Sequence, residues 1–153
     1  MNHITRFAAP ALVALALALA PLASAAGGAL TLQEPVAVDT LSKSKQTAPG
    51  LYMIAADAAR VLADHPNVAL IDVRTPSEVT LIGYATAAAA NIPSKLMDPA
   101  LTFDAKKGAY KMVDNPAFVD EVKAWLSSDA AAGVDTLLVM CRSGSRSAEA
   151  IGK

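Results

Sequence analysis

Cysteine and histidine are scarce in this chain: Cys141 stands alone among 153 residues, and the histidines are His3 and His65. A single thiol excludes an internal disulfide framework. One Cys with so few His cannot assemble a zinc set, so neither a metal centre nor a cofactor is expected. Basic excess is also lacking, with 13 Lys and Arg against 14 Asp and Glu and a formal net charge of -1. No basic stripe breaks that balance, which argues against nucleic acid as a partner. The long Ala/Leu stretch from Ala8 to Leu22 covers 15 residues, short of the about 20 that span a bilayer. The carboxylates show no paired spacing of the kind used in acid–base catalysis.

What the first residues do contain is the pattern of an export signal. His3 and Arg6 give a weakly basic start, the Ala/Leu stretch follows, and Ala23-Ser24-Ala25 is an A-x-A cleavage site. Residues 1–25 are therefore expected to be a signal peptide, cleaved on export to a bacterial periplasm, with no membrane segment kept afterwards. Losing Arg6 leaves 12 basic against 14 acidic residues, close to neutral. Disulfides are favoured in such an oxidising compartment. An exported chain that keeps one unpaired thiol points to a thiol in use.

Residues 26–49 carry Gly27-Gly28, Gln33-Glu34-Pro35, Ser42-Lys43-Ser44-Lys45 and Pro49-Gly50 without sustained periodicity, and read as a linker or disordered arm. From residue 50 to 153 the pattern is that of one domain. Ala55 to Ala63 predicts a helix ended by His65-Pro66, with His65 near the C-terminal dipole. Val68 to Val73 predicts a strand, Phe118 to Leu126 a helix and Leu137 to Met140 a buried strand. Helices alternating with short apolar strands define an α/β fold with a parallel sheet. Ligands in such sheets bind at the carboxyl ends of the strands. Arg74 and Cys141 each lie just beyond such an end, which lets them share one site.

After the last strand stands Cys141-Arg142-Ser143-Gly144-Ser145-Arg146-Ser147. Isolated cysteines are often small core hydrophobes. Two arginines and three serines do not pack into a core, so the loop reads as an anion-binding turn around a nucleophile. The thiolate is the reactive form, and a helix start or nearby cations favour it. Arg146 onward reads as a helix, so Cys141 would face the unpaired N–H groups of its first turn. Gly144 lets the backbone curl, and Ser143 and Ser145 are both candidate N-caps. Arg142 and Arg146 add positive charge.

The loop resembles the active-site loop of the rhodanese-like sulfurtransferases, which typically read C-R-S-G-x-R-S. Ile71-Asp72-Val73-Arg74-Thr75-Pro76-Ser77-Glu78 is similar to the D-V-R-x-x-x-E signature of that family, and Asn91-Ile92-Pro93 to its N-I-P, all in family order. The resemblance implies a rhodanese-like parallel sheet flanked by helices. It implies that Cys141 accepts sulfane sulfur and holds it as a persulfide, stabilised by the loop N–H groups of Arg142, Ser143, Gly144, Ser145 and Arg146. It further implies that Asp72 and Ser147 support the loop and that Arg74 lines the anion pocket. The expected partners are a small anionic sulfur donor, such as thiosulfate or a persulfide, and a thiol or cyanide-like acceptor. Phosphatases of the related cell-cycle type use a loop one residue longer, so the spacing from Cys141 to Arg146 favours sulfur over phosphate or arsenate. A non-catalytic binding or sensing module is the alternative, although inactive members commonly lose the Cys.

Departures from the family pattern are also legible. Tyr84 stands where the family commonly has histidine, which bears on the pocket wall rather than on the nucleophile. Residues 94–115 are an unusually long segment, read as an insertion. The family continues past the loop helix with a G-[FY]-x-x-V strand and a G-G motif, so the final strand and helices are expected to be missing from this chain.

Overall fold

The computed structural model describes Leu30, Gln33 and residues 35–153, so the predicted signal peptide lies outside the described residues. Helix α1 spans Ala55–Asp64 and ends where the His65 N–H bonds back to the Val61 carbonyl at 2.9 Å. Pro66 then prevents continuation by disfavouring helical backbone at His65. Strand β1, Val68–Asp72, follows and is buried along its whole length. Helix α2, Pro76–Ile82, opens with a reciprocal cap: Thr75 Oγ accepts the Glu78 N–H while the Glu78 carboxylate accepts the Thr75 N–H. It stops at Gly83, whose φ of 93° is costly for any residue with a Cβ.

The remaining elements are β2 (Ala88–Asn91), β3 (Lys95–Met97), β4 (Phe103–Asp104), β5 (Ala109–Tyr110), β6 (Met112–Asp114), α3 (Phe118–Leu126), β7 (Thr136–Met140) and α4 (Ser145–Ile151). Strands β2, β1 and β7 form a parallel sheet in that order, flanked by helices. The molecule is thus of the α/β class. Parallel neighbours need crossovers, and α2 supplies one between β1 and β2.

Residues alternate across the strands. Ile71, Val73, Leu137 and Val139 meet Phe118, Val119, Val122 and Trp125, the apolar stripe of α3. Full burial of a side chain such as Ile71 contributes about 1.5–3 kcal/mol. Leu70 and Leu138 alternate to the other face and line a cavity with Ala58, Ala59 and Leu62 of α1. Strand β7 is only half-buried, unlike β1.

The segment 94–115 folds as two nested antiparallel pairs, β3 with β6 and β4 with β5. An ion pair from Lys95 to Asp114 at 2.8 Å and the Phe103–Tyr110 edge-on ring contact brace it. The Asn115 amide closes its base by donating to the Pro93 carbonyl at 2.8 Å. The described part of the segment read as a linker holds two short turns, Val38–Thr40 and Lys43–Lys45. The second rests against α4, where Ser44 Oγ and Ser145 Oγ are 3.2 Å apart. Among the described residues no helix is long and apolar enough to cross a membrane.

Candidate active site

Register brings the carboxyl end of β1 beside the cysteine loop. Asp72 is paired with Met140, and the Val73 N–H bonds the Met140 carbonyl at 2.9 Å, so Cys141 emerges next to the end of β1. The loop then turns sharply at Gly144, with φ 96°. That left-handed turn swings the Gly144 N–H onto Cys141 Sγ at 3.1 Å. Gly144 occupies the N-cap position of α4 with no side-chain cap, so neither Ser143 nor Ser145 caps the helix as expected. The physical reason is that the glycine, not a serine, adopts the non-helical conformation required there.

Ser147 completes the sulfur's surroundings. Its Oγ lies 3.6 Å from Cys141 Sγ and donates to the Gly144 carbonyl at 3.0 Å. In the thiol form S–H donates to Ser147 Oγ. In the thiolate form the serine can rotate its hydrogen toward sulfur, so the same contact serves both states. Burial of the half-buried thiol pushes its pKa up. Hydrogen bonds from the Ser147 backbone and hydroxyl and from the Ser143 and Gly144 backbone outweigh burial, and the net pKa is lowered.

The arginines divide into committed and free. Arg74, 5% exposed, gives its Nε and Nη2 to Asp72 and a further bond from Nη2 to the Gly83 carbonyl at 2.9 Å. Asp72 also accepts the Arg74 backbone N–H at 3.0 Å, and Asn91 Nδ2 ties the Asp72 and Arg74 carbonyls at 2.9 and 2.8 Å. This group fixes the turn after β1. Arg146 is engaged with both Glu78 oxygens at 2.6 Å, which holds α4 to α2. Glu78 responds with a pKa lowered to about 2, chiefly through the Arg146 hydrogen bond. Arg142 is exposed and forms no ion pair among the described residues.

A cavity of about 860 Å³ runs along β7 between α1 and α4 and reaches the loop at Cys141, Arg142, Ser143 and Gly144. Neither Arg74 nor Arg146 is among its lining residues. The structure thus joins Cys141, Ser143, Gly144, Ser147 and Arg142 at one opening and places Arg74, Asp72 and Arg146 in its supports. Among the described residues no group of three His, Cys, Asp or Glu could hold a metal ion.

In the sequence Glu78 stands only as the last position of the D-V-R-x-x-x-E pattern, with no role of its own. The Thr75-Pro76-Ser77-Glu78 spacing was the available signal, because it is a capping box and so fixes Glu78 at the third helical position. Lys45 and Tyr52, which approach Gly144, carried no such signal. Comparison of the chain with protein-family models, with curated proteins and with solved structures gave no match in any of the three.

Proposed function

We propose that this protein is an exported, periplasmic sulfurtransferase of the rhodanese-like family that carries sulfane sulfur on Cys141. The observation that supports this most is the 3.1 Å bond from the Gly144 N–H to Cys141 Sγ, in a six-residue loop whose groups favour the thiolate. The thiolate attacks the outer sulfur of thiosulfate, a sulfur–sulfur bond forms, and sulfite leaves with the electron pair of the broken bond. The product on Cys141 is a persulfide anion, for which the same N–H donor and the Ser147 hydroxyl are suited. A cyanide ion or thiolate then attacks the outer persulfide sulfur, leaving as thiocyanate or a new persulfide, and the Cys141 thiolate is restored. Every step is a displacement at sulfur, so no other redox partner is needed.

Because Cys141 is the only cysteine, intact mass reads the reaction without a background site. Reduced protein treated with thiosulfate should gain one sulfur atom, removed again by cyanide or dithiothreitol, and Cys141→Ser should gain none. No adduct from thiosulfate or from a small persulfide donor would overturn the enzymatic reading in favour of a binding module.

A further inference from the structure

With Arg146 held by Glu78 and Arg74 held by Asp72, an anionic donor needs its charge met elsewhere. Among the described residues the cations lining the Cys141 cavity are Lys45 and Arg142, and no carboxylate lines it. Lys45 belongs to the Lys43–Lys45 turn packed on α4. Its Cδ lies 3.5 Å from where a Cβ on Gly144 would stand, and the Tyr52 Oη lies 3.0 Å from the same point. Gly144 is itself the residue whose N–H reaches Cys141 Sγ. The Lys45 side chain therefore packs against the residue that donates to the sulfur. Lys45 makes no ion pair with any described residue. Lys45 is half-buried in the wall of the cavity.

We propose that Lys45, contributed by the segment before the sheet, is a substrate-binding residue that with Arg142 selects anionic reagents for the Cys141 thiolate. The proposal rests on the sulfurtransferase reading for the identity of the natural anion, an inorganic or organic sulfur oxyanion bearing sulfane sulfur. It makes the site a composite of two chain regions about a hundred residues apart.

The test separates the two readings by using alkylation, which needs no sulfur transfer. The full-length protein is reacted with iodoacetate, an anion, and with iodoacetamide, its neutral analogue, at one pH and low salt. In Lys45→Met the ratio of the iodoacetate rate to the iodoacetamide rate should fall roughly fivefold, the effect of one nearby unit charge in a largely aqueous setting. Lys45→Arg should keep the wild-type ratio, and added salt should shrink the difference. An unchanged ratio in Lys45→Met at low salt would overturn the role of Lys45 whether or not thiosulfate loads the cysteine. A failure of thiosulfate loading with a changed ratio would instead reject the sulfurtransferase chemistry and retain the anion-selecting lysine.

Discussion

Arg146 grips Glu78 with two hydrogen bonds of 2.6 Å, one to each carboxylate oxygen, and so joins the helix after the cysteine loop to the helix after β1. Both side chains are largely buried, at 15% and 22% exposure. Such bidentate pairs combine charge with fixed geometry. The loop between Cys141 and Arg146 is therefore anchored at its far end by a carboxylate rather than left open for a donor.

Glu78→Gln isolates this ion pair, because glutamine at the third helical position can still accept the Thr75 N–H. The substitution should destabilise the protein by about 1.5–3 kcal/mol at neutral pH. Glu78 has its folded pKa lowered from 4.5 to about 2. Its contribution is therefore complete above the unfolded value and lost as pH falls through the interval from 4.5 toward 2. Urea unfolding of both proteins across that range should show the two midpoints converging at the acid end. A gap that stays constant with pH would assign the loss to packing instead.

Gly144→Ala should combine two penalties. The φ of 96° costs an L-residue about 1–2 kcal/mol, and the new methyl would stand 3.0 Å from Tyr52 Oη. Part of the loss belongs to that contact, so Tyr52→Ala should cost less in the Gly144→Ala background than in the wild type. A double-mutant cycle by chemical denaturation measures the coupling. Strict additivity would show that Tyr52 moves aside freely and that the backbone conformation alone sets the requirement for glycine.

The α/β architecture was legible because its elements are strongly patterned. Ala55–Asp64, Val68–Asp72 and Phe118–Leu126 lie within a residue of the two predicted helices and the predicted strand between them. Local apolar runs and the His65-Pro66 stop carry that information. The site was legible to the extent that it is contiguous, as in Cys141 to Ser147. Its completion was not, because it depends on which charges meet in space. Arg74 and Arg146 look alike in sequence to Arg142, yet Asp72 and Glu78 engage the first two and leave the third at the opening. Lys45 belongs to a segment with no periodicity, and only packing on α4 brings it to Gly144. The cap of α4 departs from both serine candidates for a related reason. Ser143 and Ser145 have the right chemistry, but the left-handed turn at Gly144 takes the position.

Ser147 offers the most direct check on the thiolate. Its hydroxyl sits between Cys141 Sγ and the Gly144 carbonyl, and its hydrogen bonds are among the effects that lower the thiol pKa against the opposing effect of burial. Ser147→Ala removes the hydroxyl but keeps the backbone N–H and the Gly144 donor. The iodoacetamide alkylation rate followed against pH should rise in the wild type at lower pH than for an unstructured peptide thiol. In Ser147→Ala the midpoint should move upward, toward that peptide, while the plateau rate at high pH stays within about threefold, since the thiolate's own nucleophilicity depends only weakly on its pKa. Persulfide loading by thiosulfate at neutral pH should fall in step with the smaller thiolate fraction. A wild-type midpoint equal to that of the free peptide thiol would mean that the loop donors do not outweigh burial, and a Ser147→Ala midpoint equal to wild type would leave the backbone N–H groups as the whole source of the shift.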